Sequence, residues 1–394
     1  MSIRITVSRI ALVFGVVAAT AGPGGGRALA ADGPDSAAPT EDQGAAHIDG
    51  GLYLDLGYLD SSTRPGNHIW RSKGTSNVLD RLRVNNATLW VSKDALPNSR
   101  WGFQAGLQAG ADVDAGVPPE DAAIDGAETL GYLNFTNLSY LFPLGQGLEL
   151  TGGLIPGFPG YPGFYAIENP SYTRPYAVDY TPYFLWGLRA DYPVSAKVSG
   201  SLFVISGWDY LKSTNNTPGY GFQLGWQVSD QVHATQNFYY GSEQKATAME
   251  FWRFATDTNV EWQAGQFLVA ASFTHGNERQ AAVSDQPRYA WTAAALWLQW
   301  RTAPSWRFTL RPEWFDDPDG LQTGARQTLT AVAATAEYRL TSLARNAVSA
   351  RAELRFDHST GQEGGFFEGD DNRLVPDQRV LALSLLWKFD SGGK

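Results

Sequence analysis

Gln378-Arg379-Val380-Leu381-Ala382-Leu383-Ser384-Leu385-Leu386-Trp387-Lys388-Phe389 is the stretch on which the fold turns. Leu381, Leu383, Leu385, Trp387 and Phe389 fall on one side of an extended chain, and Val380, Ala382, Ser384, Leu386 and Lys388 on the other. The period is two, that of a strand. One face is wholly apolar and ends in two aromatics; the other is small or polar apart from Leu386. Taken alone, the segment fits a lipid-facing strand and a strand of a soluble sandwich equally well. Recurrence along the chain separates the two.

Working back, the clearest alternation of the first half sets Trp101, Phe103, Ala105, Leu107, Ala109 and Ala111 against Gly102, Gln104, Gly106, Gln108, Gly110 and Asp112. Leu52, Leu54, Leu56 and Tyr58 alternate with Tyr53, Asp55 and Gly57, and a weaker strand runs from Leu82 to Val91. The same rule marks segments near 130–142, 148–155, 183–192, 198–209, 218–228, 231–240, 252–263, 267–275, 288–300, 306–315, 327–340, 346–357 and 378–389. That makes about sixteen, many near the ~9–11 residues a tilted strand needs to cross a bilayer. No helical stretch is expected after residue 30.

Connection lengths fix the topology. Tight turns at Pro143–Gly147, Pro193–Lys197, Ser229–Gln231, Ala264–Gln266 and Thr302–Ser305 alternate with long connections at Asp60–Asp80, Asp112–Thr129, Pro156–Pro182, His275–Pro287 and His358–Asp377. A sandwich has no reason to sort its loops by length, whereas an outer-membrane barrel puts short turns in the periplasm and long loops outside. Trp208, Tyr220, Phe222, Leu224, Trp226 and Phe238 are read as lipid-facing, opposite Gly219, Gly221, Gln223, Gly225, Gln227, His233 and Asn237. One closed sheet meets all of this, since closure also pairs every edge. The expected fold is therefore all-β: a transmembrane antiparallel up-and-down β-barrel of about sixteen strands, give or take two.

The ends carry an address. Arg4 and Arg9 precede the apolar run Ile10–Ala21, and Ala28-Leu29-Ala30 offers the small residues a signal peptidase reads, so residues 1–30 are expected to be cleaved. Residues 31–46 read as a flexible leader, 47–389 as one barrel and 390–394 as a short tail. Cleavage removes Arg4, Arg9 and Arg27 and no acid, taking the formal charge from -10 to -13. An acidic exported chain is a poor partner for nucleic acid. With no cysteine, disulfides, thiolate metal sites and thiol nucleophiles are excluded. The 42 glycines, 14 tryptophans, 17 tyrosines and 20 phenylalanines, at only 43% hydrophobic content, suit strands whose two faces meet different solvents.

If the apolar faces meet lipid, the opposite residues line the lumen. They include Arg189 with Asp191; Asp257, Asn259, Glu261 and Gln263; Arg307, Thr309, Arg311 and Glu313; Thr335, Glu337 and Arg339; and Arg351, Glu353, Arg355 and Asp357. Opposite charges on neighbouring strands serve as a structural ladder, and walls of opposite sign also set up a transverse field that orients solutes. The connection 156–182 holds six prolines, many aromatics and few charges: Glu168, Arg174 and Asp179. Such a loop is stiff and has rings to pack with. We expect it to fold inward, with Glu168, Tyr172, Arg174 and Asp179 at the constriction; an outer lid or subunit contact is the alternative.

With these features in hand, Trp101-Gly102-Phe103-Gln104-Ala105-Gly106-Leu107-Gln108-Ala109-Gly110, Pro312-Glu313-Trp314-Phe315-Asp316-Asp317-Pro318-Asp319-Gly320 and the closing Leu385-Leu386-Trp387-Lys388-Phe389 make residues 47–389 resemble the OmpL-like β-barrel porins of Gram-negative outer membranes. The resemblance implies passive uptake of small polar solutes through an outer membrane, with that membrane's lipid, the solutes and the machinery that reads the C-terminal strand as partners. Porins of this size are commonly homotrimers, and the resemblance implies no catalytic residues or cofactor. The chain departs from the pattern in running on past Phe389 through Asp390-Ser391-Gly392-Gly393-Lys394.

Rival functions find little support in the residues. A hydrolase needs a dyad, but His358 and Ser359 are sequence neighbours that face opposite ways on a strand, there is no Gly-x-Ser-x-Gly elbow, and His233 with Asn237 reads as a hydrogen-bonded wall. Asp316, Asp317 and Asp319 read as an exposed turn before a calcium site, and no metal-ligand cluster stands out. A sugar-specific channel or a soluble carbohydrate-binding sandwich would use the many aromatics for stacking. Most strand tryptophans, however, sit on the apolar face, Trp90 and Trp297 being the exceptions.

Overall fold

The computed structural model of the protein describes residues 47–391 apart from 117–130, 159, 209–214, 216, 303 and 344. The expected signal peptide and leader, and residues 392–394 of the tail, lie outside the described residues. The chain runs through β1 (Asp49–Ser61), β2 (Leu82–Lys93), β3 (Trp101–Ala109), β4 (Leu133–Phe142), β5 (Leu148–Pro156), β6 (Phe184–Ser195), β7 (Val198–Ile205) and β8 (Gly219–Ser229). It continues with β9 (Val232–Ser242), β10 (Trp252–Ala264), β11 (Phe267–Arg279), β12 (Arg288–Arg301), β13 (Trp306–Asp317), β14 (Gln327–Leu343) and β15 (Asn346–Thr360). A small hairpin, β16 (Phe366–Glu368) and β17 (Arg373–Val375), precedes the last strand, β18 (Asp377–Asp390).

All but the hairpin pair with their sequence neighbours, and β18 closes the circle against β1 and β15, giving one antiparallel barrel of 16 strands. Closure is what a membrane demands, because a sheet edge left in hydrocarbon keeps unpaired N–H and C=O groups. In β18 the outward Leu381, Leu383, Leu385, Trp387 and Phe389 are 37–45% exposed, while the inward Val380, Ala382 and Leu386 are at most 1% exposed. Aromatics gather at both rims: Trp101 on Tyr140 (4.8 Å between ring centres) and Trp306 on Tyr338 (4.9 Å) at one, Tyr240 on Trp252 (5.4 Å) at the other. Short and long connections alternate as expected.

Three expectations need correcting. Short helical pieces do occur after residue 30: α1 (Ala111–Gly116), single 3-10 turns at Ala166–Glu168 and Met249–Phe251, and one turn at Tyr176–Asp179. All lie in connections, where three to six residues satisfy local N–H groups without a long hydrophobic repeat to betray them. Trp208 does not face lipid. β7 ends at Ile205, and Trp208 turns in beneath the rim at 1% exposure, its ring on Tyr239 and its Nε1 donating to the Tyr180 carbonyl (3.2 Å). The strand at 267–275 runs on to Arg279, because its inward Gly276 and Glu278 still pair with β12.

Candidate functional site

The inner wall is polar where strands carry charge, but much of it is covered by protein. The segment from Gly157 to Tyr183 leaves β5 at the long-loop end and runs down inside the barrel. Its descent is recorded by hydrogen bonds to inward residues of strands all around the wall. Phe158 O accepts from Gln223 Nε2 (3.3 Å), Gly160 N–H donates to Asp257 (3.1 Å), and Tyr161 Oη donates to Glu261 (2.7 Å). The Tyr161 ring packs edge-on against the inward Trp297; Trp291, on the same face of β12, is a further buried inward tryptophan that sequence reading had not set apart. Ala166 N–H donates to Tyr53 Oη (3.1 Å), and at the deepest point Glu168 pairs with Lys388, two residues before the end of β18.

The segment then climbs along β13–β15. Glu353 accepts from the N–H of Tyr172 (2.7 Å) and Thr173 (3.2 Å), from the Thr173 hydroxyl and from Thr335 Oγ1 (2.7 Å). Arg311 donates to Ser171 and Thr173; Arg351 donates to the carbonyls of Ala166 (2.7 Å) and Ser171 (3.1 Å). Glu313 accepts from Tyr176 N–H (2.8 Å), and Asp357 from Tyr176 Oη (2.7 Å). Burial, and after it the neighbouring carboxylates, hold the phenols of Tyr161, Tyr172 and Tyr176 well above their ordinary range. They therefore stay neutral donors, the form a buried carboxylate needs as partner.

Arg311, Glu313, Glu337, Arg351, Glu353, Arg355 and Asp257 all point inward and are buried, packed against the loop or against each other. Arg355 spans Glu313 (2.7 Å) and Asp357 (2.8 Å) while its guanidinium lies over the Tyr176 ring. Arg189, paired with Asp191 (2.6 Å), and Glu261, Arg307 and Arg339 also point inward but remain partly exposed. In the loop, Tyr172 and Arg174 are buried: Tyr172 Oη donates to Asp55 (2.9 Å), and Arg174 pairs with Asp112 on α1 (3.2 Å) and donates to the Phe164 carbonyl. Asp179 binds Lys73 and the Thr75 hydroxyl (2.7 Å) in the first long loop.

Sequence reasoning missed the apolar half of this interior. Phe203, Ile205, Leu185, Val380 and Leu386 face inward beneath Phe158, Ile167, Tyr172 and Tyr176, in one cluster. The signal was present in Leu386, the one bulky apolar residue on the polar face of the last strand. The other motifs resolve simply. His358 faces out to Asp377 (2.8 Å) while Ser359 faces in to Gln327 (2.8 Å); Asn237 bonds to Asp257 (2.9 Å). The expected exposed turn needs correcting: Asp316 and Asp317 end β13 and Asp317 is buried, capping the N–H groups of Leu321, Gln322 and Thr323, while Asp319 holds Ala290 N–H and Asp316 the Thr328 hydroxyl on neighbouring strands. Among the described residues no group of three or more His, Asp or Glu side chains has metal-site geometry.

Residues 47–389 match the model of the family described as putative beta-barrel porin-2, OmpL-like. Among curated proteins nothing matches. Solved structures share the fold. The anion-selective porin from Comamonas acidovorans is 9% identical with a TM-score of 0.53, over 88% of this chain and 100% of that one. In-vitro folded OmpT of Vibrio cholerae, in its trimer form, is 11% identical with a TM-score of 0.51, over 88% of this chain and 99% of that one. Outer-membrane expressed OmpT of Vibrio cholerae is 12% identical at a TM-score of 0.50, over 89% and 99%.

Proposed function

We infer the function from the premise that this chain belongs to the OmpL-like beta-barrel porin-2 family, whose match spans nearly all of its described length. It is an outer-membrane porin, a channel for passive diffusion of small polar solutes and ions. The observation that carries the mechanism is the uneven coverage of the inner wall. The segment 157–183 seals most of β13–β15 and β18, while inward residues nearer the short-turn rim, Arg189, Asp191, Gln227, His233, Glu261, Arg307 and Arg339, keep access to water.

The passage in this reading runs beside the loop, and the loop sets its width. Glu168 and Tyr161 present its edge to the passage, whereas Tyr172, Arg174 and Asp179 anchor it. The buried charges Asp257, Arg311, Glu313, Glu337, Arg351, Glu353 and Arg355 hold the loop against the wall; Arg189, Glu261, Arg307 and Arg339 supply the field a solute meets. Two further readings accompany this one: cleavage after Ala30, which the mass of the protein recovered from outer membranes checks, and a homotrimer, supported by the trimer form of OmpT. The deciding experiment is single-channel recording of the chain lacking Gly160–Ala177. A larger conductance supports a loop-narrowed passage; an unchanged one refutes it.

A further inference from the structure

Four arginines share one patch of the inner wall across β12–β15, to which those strands contribute a single carboxylate. Arg301, the last residue of β12, stands directly opposite Arg307 on β13; Arg307 stands opposite Glu337 on β14, and Glu337 opposite Arg351 on β15. Arg339 follows Glu337 on the same face of β14. That carboxylate accepts from Arg339 Nε (3.0 Å) and Arg351 (3.2 Å), so one negative charge is shared among the arginines around it. Arg301 Nε donates to Gln299 (3.0 Å), a neutral partner, and Glu261, the other acid acting on Arg301, already accepts the Tyr161 hydroxyl (2.7 Å). Among the described residues the Arg307 guanidinium makes no hydrogen bond or ion pair.

Directly opposite side chains have Cβ atoms about 4.5–5.5 Å apart, and like charges so placed repel. Higher on the same strands each arginine has an acid, Arg311 with Glu313 and Arg355 with both Glu313 and Asp357. The ladder is neutralised where the loop covers it and left in positive excess where it does not. A guanidinium stays protonated at any physiological pH and offers a planar fork of donors that fits a carboxylate or phosphate in pairs of hydrogen bonds.

We propose that Arg301, Arg307 and Arg339 form a binding site for small oxyanions, carboxylates or phosphates, on the short-turn side of the loop. The inference rests on the channel reading, deepening it by naming the solute class: an entering anion finds the free Arg307 fork and relieves the Arg301–Arg307 repulsion, and the partly exposed position lets it leave again.

Inorganic phosphate is the probe. Calorimetric titration of the folded, heat-modifiable protein in detergent at low salt is expected to give saturable binding, and in planar bilayers the same phosphate concentrations are expected to depress chloride current. Arg307→Gln removes charge-assisted hydrogen bonds and should weaken phosphate about tenfold. Arg307→Lys, which keeps the charge without the fork and guards against a folding defect, should weaken it less. The double variant Arg301→Gln/Arg307→Gln should abolish binding, while Lys197→Gln, an equal loss of charge on a short turn, should leave it unchanged. Conduction with no phosphate binding, or equal affinity in the double variant, overturns the site and leaves the channel standing. Binding without conduction supports the site and removes the channel.

Discussion

At Gly57 one missing methyl group decides where the loop rests. Gly57 faces inward on β1, and a β-carbon there would collide with Tyr172 Oη and Asn85 Nδ2. The same slot recurs at Gly221 beneath Phe158 and at Gly276 beneath Trp291. An excess of glycine on the polar face was legible in the sequence, but its purpose was not: Tyr172 meets its acceptor Asp55 across 117 residues of chain, and no local pattern encodes that meeting. Gly57→Ala should therefore unseat Tyr172, which limited proteolysis would report as faster cutting within 157–183. Tyr172→Phe keeps the ring and removes its bonds to Asp55 (2.9 Å) and Asn85 (2.6 Å). Leaving those partners short of a hydrogen bond should cost about 1–3 kcal/mol, read as a lower temperature for the folded-to-unfolded shift in gel migration. Equal behaviour of both variants and the parent would show that the loop is not held here.

Elements were the most readable level. Every barrel strand falls within a few residues of a segment chosen by alternation, because the membrane forces one face to be apolar for the whole crossing. What alternation did not reveal is whatever is not a crossing: the β16–β17 hairpin, the helical turns and the inward tuck of Trp208 obey local packing instead. In β18 the outward face also ranks positions by depth. Leu383, mid-strand and flanked by Tyr58 and Ala352, lies far from either rim, whereas Trp387 lies near the short-turn rim. Arginine at a bilayer midplane costs about 2–4 kcal/mol and near an interface about 0–1 kcal/mol. Leu383→Arg should thus lower folded-barrel yield and urea resistance well beyond Trp387→Arg. Equal losses would mean that β18 does not cross where its pattern places it.

For the molecule as a whole, the organising fact is that three media meet one wall. Lipid touches the outer face, the 157–183 segment fills much of the bore, and water reaches what remains. Sequence periodicity separates inside from outside but cannot divide the inside, because covered and open wall strands carry the same residue types: Arg307 and Arg311 differ in partners, not in kind. The absence of cysteine offers a clean way to test the division, since any thiol introduced is the sole one present. Leu381→Cys and Ala382→Cys are neighbours on β18 with opposite surroundings, 41% and 1% exposed, and Arg307→Cys reports the open bore. A thiol reacts as the thiolate and only where reagent reaches it. A charged, water-soluble maleimide should modify Arg307→Cys readily and the other two poorly, whereas an environment-sensitive fluorophore attached to Leu381→Cys before folding should report an apolar medium once the barrel is in the bilayer. Removing Gly160–Ala177 should then open Ala382→Cys to the charged reagent. If Ala382→Cys reacts as fast as Arg307→Cys with the loop intact, the segment does not fill the bore, and the division of the wall into anchoring and solute-facing charge fails with it.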